Sequence, residues 1–237
     1  YMYLPSALIY HDLKKVAFFP EIEKKYNPGP GMGQAFKHEA SGNYVMKYSC
    51  GQAFQFLPWF TVANAVAEPL GYPADGFSRP YQVAIGLGSL LIAILGLWFA
   101  RKNLLEYFSD KATALALLGM VAGSNYLNYT AIDGAMTHNW LFTLYALLVW
   151  TTIQFNKRPT WARACVIGLL CGWAALTRPT EAISILIPLL WGGWEGRLAF
   201  LWREKSKIIL AGVVFAAVGS IQLLYWKWAT GDWVVYS

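Results

Sequence analysis

The chain has 237 residues, of which 57% are hydrophobic, 16% aromatic and only 14% charged, with a net charge of +6. Soluble domains carry about 25% charged residues, so this composition excludes an ordinary soluble domain, and its aromatic content excludes intrinsic disorder. Cys50, Cys165 and Cys171 sit in apolar runs without CxxC spacing, which excludes a disulfide-stapled module and leaves an integral membrane protein.

The chain opens at Tyr1 in mid-pattern, without a basic n-region or a cleavage site, and ends in an aromatic polar segment. It is therefore expected to be a piece of a longer polytopic protein. Residues 1–47 hold six of the nineteen cations and four acids. They predict an outer loop with short surface helices: an amphipathic helix over Leu4–Leu13 ending in His11-Asp12, a helical turn over Pro20–Lys25, the loop Asn27-Pro28-Gly29-Pro30-Gly31, and then Gly42–Lys47. Lys14-Lys15 and Lys24-Lys25 read as a solvated face near anionic headgroups.

A spanning helix needs roughly 20 mostly apolar residues. Taking Asp, Glu, Lys and Arg as breaks, the uncharged runs are Tyr48–Ala67, Pro80–Ala100, Ala112–Ile132, Gly134–Asn156, Ala164–Thr177, Ala182–Trp194 and Ile208–Trp226. Their Ala, Leu and Gly content without period-two alternation predicts an all-α, multi-pass bundle of six or seven membrane helices over 48–237. The short runs 164–177 and 182–194 read as two helices joined by a polar turn, with a single broken helix as the alternative. Pro58, Gln52, Gln55 and Asn64 favour an interfacial or re-entrant placement of 48–67 over a full crossing. Small residues, among them Gly96, Gly168 and the pair Gly119-x-x-x-Gly123, predict close helix approaches within the molecule.

Ten cations fall in three alternate stretches: Arg101, Lys102 and Lys111; Lys157, Arg158 and Arg163; Arg197, Arg203, Lys205 and Lys207. Positive charge concentrates on cytoplasmic loops, so these stretches are read as inside and the turns at Asp133 and Arg178–Glu181 as outside. The charge is thus a topology signal, and nucleic acid is not an expected partner.

Ionisable groups at membrane borders are the candidate functional residues. Asp133, in NYTAIDGAMTHNW, can serve as a general base or a metal ligand, with His138 as a proton relay and Asn139 in support. The alternative reading makes Asp133 the N-cap of a helix over 134–156 and His138 a satisfied buried imidazole. In Arg178-Pro179-Thr180-Glu181, capping and the helix dipole account for the last three residues. Arg178 suits bidentate phosphate binding, and Lys47 suits the same anion or a snorkelling anchor. Walker A, GxGxxG, HExxH, GxSxG and zinc spacings are absent from the sequence.

The stretches YMYLPSALIYHDL, KYNPGPGMGQAFKHEASGNYVMKYSCGQAFQFLPWF, GYPADGFSRPYQ, TAIDGAMTHNWLF and LTRPTE, in this order, resemble bacterial GT-C glycosyltransferases, relatives of dolichyl-phosphate-mannose protein mannosyltransferases and lipid-A aminoarabinose transferases. The resemblance covers most of residues 1–182. It implies a large first outer loop with surface helices, a second outer loop whose acid falls on Asp133, and a lysine at Lys47 before a membrane-surface segment, although the usual proline after it is missing. The family's first catalytic carboxylate would precede Tyr1, and Asp12 lies too far along to replace it with assurance. The implied chemistry moves a sugar from a polyprenyl-phosphate donor to a glycan, lipid or protein acceptor at the outer face of a bacterial inner membrane, with Mg or Mn as a possible cofactor. Rival readings are a secondary transporter and a non-catalytic subunit of an envelope-polysaccharide assembly.

Overall fold

The computed structural model describes residues 1–27 and 33–235; most of the Pro/Gly loop beginning at Asn27 lies outside them. The protein is 71% helical and 3% strand, an all-α chain. It divides into two compact units, 1–88 with 220–237 (unit 1) and 89–219 (unit 2), the boundaries falling inside the two longest helices.

Unit 1 begins with α1 (Tyr3–Leu8) and α2 (Phe19–Tyr26). The first helix stops well short of Leu13 because the Asp12 side chain organises the next segment instead. Its Oδ1 accepts the Lys15 N–H at 2.7 Å and its Oδ2 the Ala17 N–H at 2.8 Å. That loop holds Val16 at φ 50° with its side chain buried against Met2, Phe19 and Met46. A β-branched residue at positive φ is strained, by about 1–3 kcal/mol. A hairpin of β1 (Ala35–His38) and β2 (Asn43–Met46) follows, antiparallel, with Ala35 opposite Met46. Two four-residue strands are marginal alone. Here Asn43 Nδ2 donates to the Ala229 carbonyl at 2.7 Å and the Tyr225 hydroxyl accepts the Met46 N–H at 3.2 Å. α3 (Gly51–Ala67) carries Pro58 inside and is fixed by Asn64, whose Oδ1 accepts the Tyr81 hydroxyl at 2.6 Å.

α4 (Arg79–Leu105) leads out of unit 1. Unit 2 continues with α5 (Asp110–Gly123), α6 (Tyr126–Ala131), α7 (Thr137–Lys157), α8 (Trp161–Thr177), a 3-10 segment over Pro179–Ile185, α9 (Leu186–Leu190) and α10 (Arg197–Arg203). α11 (Lys205–Thr230) leads back into unit 1. The core is the antiparallel α7–α8 hairpin. Leu141, Leu144, Leu148 and Phe155 on α7 face Ala164, Ile167, Cys171 and Ala174 on α8, the three- and four-residue steps of a coiled-coil-like seam. A Cβ on Gly96 would lie 2.4 Å from Thr143 Oγ1, and one on Gly168 2.3 Å from the Ala211 carbonyl oxygen. Only glycine permits those approaches. Around Gly119 and Gly123, by contrast, no atom lies within 4 Å of a built Cβ, so this pair makes no close approach within the molecule among the described residues.

α4 and α11 are long and apolar enough to cross a membrane, fewer helices than the six or seven expected. Uncharged runs overcount because they read through uncharged breaks. Ala112–Ile132 is interrupted at Ser124-Asn125, and Ala182–Trp194 opens as a 3-10 segment and ends in a turn. α7 has the length, 21 residues, but carries His138, Asn139, Gln154 and several threonines. Only 28% of the most apolar stretch of α4 and 6% of that of α11 is buried. A core helix of a soluble protein would hide most of that surface. Exposed Leu, Ile and Val side chains each forgo about 1.5–3 kcal/mol in water, so these faces call for an apolar surrounding.

Candidate functional site

The two ends of unit 2 differ in kind. At one end the three cation-rich stretches meet: Lys157 Nζ pairs with Glu106 at 2.5 Å, Arg197 Nη1 donates to Asn156 Oδ1 at 2.6 Å, and Lys207 lies 5.5 Å from the Trp161 ring centre. α7 and α8 run away from this end for about 31 and 25 Å at 1.5 Å per residue. Because they are antiparallel, the start of α7 and the end of α8 share the far end, which carries Asp133, His138, Arg178 and Glu181.

Asp133 sits in the α6–α7 junction, exposed. Its N–H donates to the Asn128 carbonyl at 2.9 Å, and its Oδ2 accepts the Asn128 side-chain amide at 2.8 Å. It does not cap the following helix: α7 begins at Thr137 with Met136 in the cap position, and the Asp133 carbonyl accepts the Met136 N–H. The carboxylate therefore keeps acceptor capacity at Oδ1, which meets no donor among the described residues. His138 is half-buried and stacks on Tyr129, with ring centres 4.0 Å apart. Arg178 caps the C-terminus of α8 and lies within electrostatic reach of the His138 ring. Three residues on, Glu181 accepts the hydroxyl of Tyr145 from α7. It occupies the first turn of a seven-residue 3-10 segment, a length uncommon for that helix type.

Asn139 serves the packing. Buried, it donates to Ser89 Oγ at 2.7 Å and ties α7 to α4. Asp12 and Lys47 belong to unit 1. Both Asp12 oxygens are taken up by the backbone loop around Val16; burial raises its carboxyl pKa, but the hydrogen bonds from Ala17, Lys15, Val16 and Lys14 outweigh this and hold it below the usual carboxylate range. That makes Asp12 a weak base with a structural task. Lys47 is exposed, 5.7 Å from the Tyr48 ring centre, and its N–H donates to the Gln34 carbonyl at 2.9 Å.

Among the described residues no group of three or more His, Cys, Asp and Glu side chains could hold a metal ion. The donors around Asp133 are one carboxylate and an amide whose N–H faces it, which does not fit a Mg or Mn site. Sequence reasoning singled out neither Tyr145 nor Tyr129, whose partners lie 36 and nine residues away, nor Asp75, whose carboxylate accepts four hydrogen bonds in unit 1. The turn cluster Gly71-Tyr72-Pro73-Ala74-Asp75-Gly76 was the available signal for the last. Comparison with protein-family models, with curated proteins and with solved structures finds no match.

Proposed function

We propose that the chain is a multi-pass membrane portion of a GT-C-type glycosyltransferase, moving a sugar from a polyprenyl-phosphate donor to a glycan, lipid or protein acceptor outside a bacterial inner membrane. The observation that carries this reading is the contrast between the ends of unit 2. Cations gather at one, while an available carboxylate, an imidazole and a guanidinium occupy the other. With the cation-rich end in the cytoplasm, the Asp133 end faces out. α4 and α11 cross fully, while α5 with α6, α7, α8 and the 3-10 segment with α9 run between the same two ends of unit 2 without the length and hydropathy of a full span. α3, at 17 residues with an internal proline, lies at the outer interface.

In the reaction the bond from the anomeric carbon to the phosphate oxygen breaks and a bond from that carbon to the acceptor oxygen forms. The acceptor proton passes to Asp133, directly or through His138. Charge developing on the departing lipid phosphate is met by the Arg178 guanidinium, whose planar fork fits two phosphate oxygens. Glu181 and Tyr145 hold the 3-10 segment that follows Arg178 against α7. Lys47 is assigned an anionic headgroup contact within its own unit. A transporter would place ionisable groups near mid-membrane; α4 carries no Asp, Glu, Lys or Arg between Arg79 and Arg101, nor does α11 between Lys207 and Lys227.

The test is Asp133→Asn in the full-length protein, assayed for sugar transfer from a polyprenyl-phosphate donor. Loss of a positioned base lowers the rate by about 100-fold or more, with membrane insertion unchanged. Wild-type transfer by this variant would remove Asp133 from the site.

A further inference from the structure

At the cation-rich end of unit 2 a cavity of about 160 Å³ opens between α8, α9 and α11. Its walls include Ile167, Cys171, Leu189, Ile208, Gly212 and Phe215, and the charged side chains on its lining are Arg197 and Lys207. Apart from these two side chains the walls are apolar, and a cavity of about 150 Å³ accepts a benzene-sized group, which the end of an alkyl chain matches.

Arg197 is only 6% exposed. Its Nε donates to the Leu189 carbonyl at 2.8 Å, Nη1 to Asn156 Oδ1 at 2.6 Å and Nη2 to the Pro188 carbonyl. These bonds cap the C-terminus of α9 and explain why the side chain lies here. They do not neutralise it. All three acceptors are uncharged, and no carboxylate lies within ion-pair distance among the described residues. A buried guanidinium without a counter-charge is costly, and burial lowers its proton affinity. Two of its five N–H groups stay unassigned. Nearby, Lys207 shares Glu204 with Arg203, two cations on one acid. Trp161, Trp194 and Trp202 are exposed around this end, as aromatic rings are at a membrane interface.

We propose that this is a binding site for an anionic phospholipid, one acyl-chain end filling the cavity and the phosphodiester supplying the missing counter-charge to Arg197 and Lys207. Phosphate suits the guanidinium fork, and the chain comes from the bilayer that the exposed faces of α4 and α11 require. The site lies at the opposite end of unit 2 from Asp133 and does not depend on sugar transfer.

The experiment is native mass spectrometry of the full-length protein released from micelles doped with equal phosphatidylglycerol and phosphatidylcholine, and separately with inorganic phosphate. Phosphatidylglycerol is expected to be retained about tenfold or more over phosphatidylcholine, a margin one charge-assisted hydrogen bond supplies, with no retained inorganic phosphate. Gly212→Leu fills the cavity from a position whose built Cβ meets nothing within 4 Å. It should lose the adduct about tenfold with an unchanged melting temperature, and Lys207→Gln should lose selectivity between the lipids. Arg197→Gln should do the same, and if it does not fold the other two variants decide. Equal retention of both lipids, phosphatidylglycerol undiminished in Gly212→Leu and Lys207→Gln, or inorganic phosphate held as well as the lipid would each overturn the proposal.

Discussion

Two acids mark the difference between the units. In unit 1, Asp75 is saturated: Oδ2 accepts Lys25 Nζ at 2.9 Å and the Tyr26 hydroxyl at 2.6 Å, while Oδ1 accepts the N–H groups of Phe77 and Ser78, both at 3.0 Å. Its backbone carbonyl also accepts the Tyr10 hydroxyl. In unit 2, Asp133 is exposed and among the described residues its carboxylate takes one donor, Asn128. An acid whose lone pairs are all engaged is part of the scaffold. One that keeps an oxygen toward its surroundings is available to a substrate. Unit 1 thus spends its polar groups on fixing irregular backbone around α1, α2 and the loop before α4, whereas unit 2 is held by the apolar α7–α8 seam and can leave polar groups at its end uncommitted.

The largest effect expected on stability follows from that saturation. Asp75→Ala strands four donors whose acceptor side chain is only 13% exposed, and should cost about 2–4 kcal/mol. For a chain of this size the melting temperature would fall by on the order of 5–10 °C. A fall no greater than that of a surface substitution would make Asp75 an ordinary loop acid. The same contacts set a pH dependence. Burial pushes the Asp75 carboxyl up, but the hydrogen bonds from Tyr26, Lys25, Phe77 and Ser78 outweigh it and hold the group below its usual range. A carboxyl depressed in the folded state stabilises fully above its unfolded value of about 3.9 and loses that contribution as pH falls through the folded value. The wild-type melting temperature should therefore drop as pH falls below about 4, and Asp75→Ala should flatten that limb.

A middle-sized effect separates the glycines. Gly168→Val drives a side chain into the Ala211 backbone and should cost about 1–3 kcal/mol by overpacking. Gly119→Val meets open space and should stay within about 0.5 kcal/mol. Equal costs would mean that the contacts of α8 with α11 do not govern the stability of unit 2.

Much of this was legible in the sequence where apolar spacing decides the outcome. The α7–α8 seam is a three- and four-residue pattern, and the three cation-rich stretches that meet at one end were already visible as alternate clusters of lysine and arginine. The hairpin Ala35–His38 and Asn43–Met46 was not, because four-residue strands carry little pattern and this pair is secured by Tyr225 and Ala229, 179 and 186 residues away from the strand residues they hold. Asp12 looked like a candidate acid because sequence shows the charge and hides the N–H groups turned toward it. Arg178 and Glu181 could be placed at a helix junction from Pro179 alone. That the guanidinium would lie near His138, and the carboxylate on Tyr145, depends on α7 and α8 returning to the same end, which only the packed hairpin fixes.

The smallest expected effect on stability is at Asp133, and there a near-zero result is informative. The carboxylate is exposed and, among the described residues, takes a single side-chain bond, from the amide of Asn128 five residues earlier. Asn at 133 retains a carbonyl oxygen for that amide, and the backbone bonds from 133 to Asn128 and Met136 are untouched. Asp133→Asn should thus shift stability by no more than about 0.5 kcal/mol, measured by thermal melting in detergent, while transfer activity collapses. A loss of about 2 kcal/mol would instead place Asp133 with Asp75 as a scaffold acid, since nothing but a structural task would make the charge itself matter to folding.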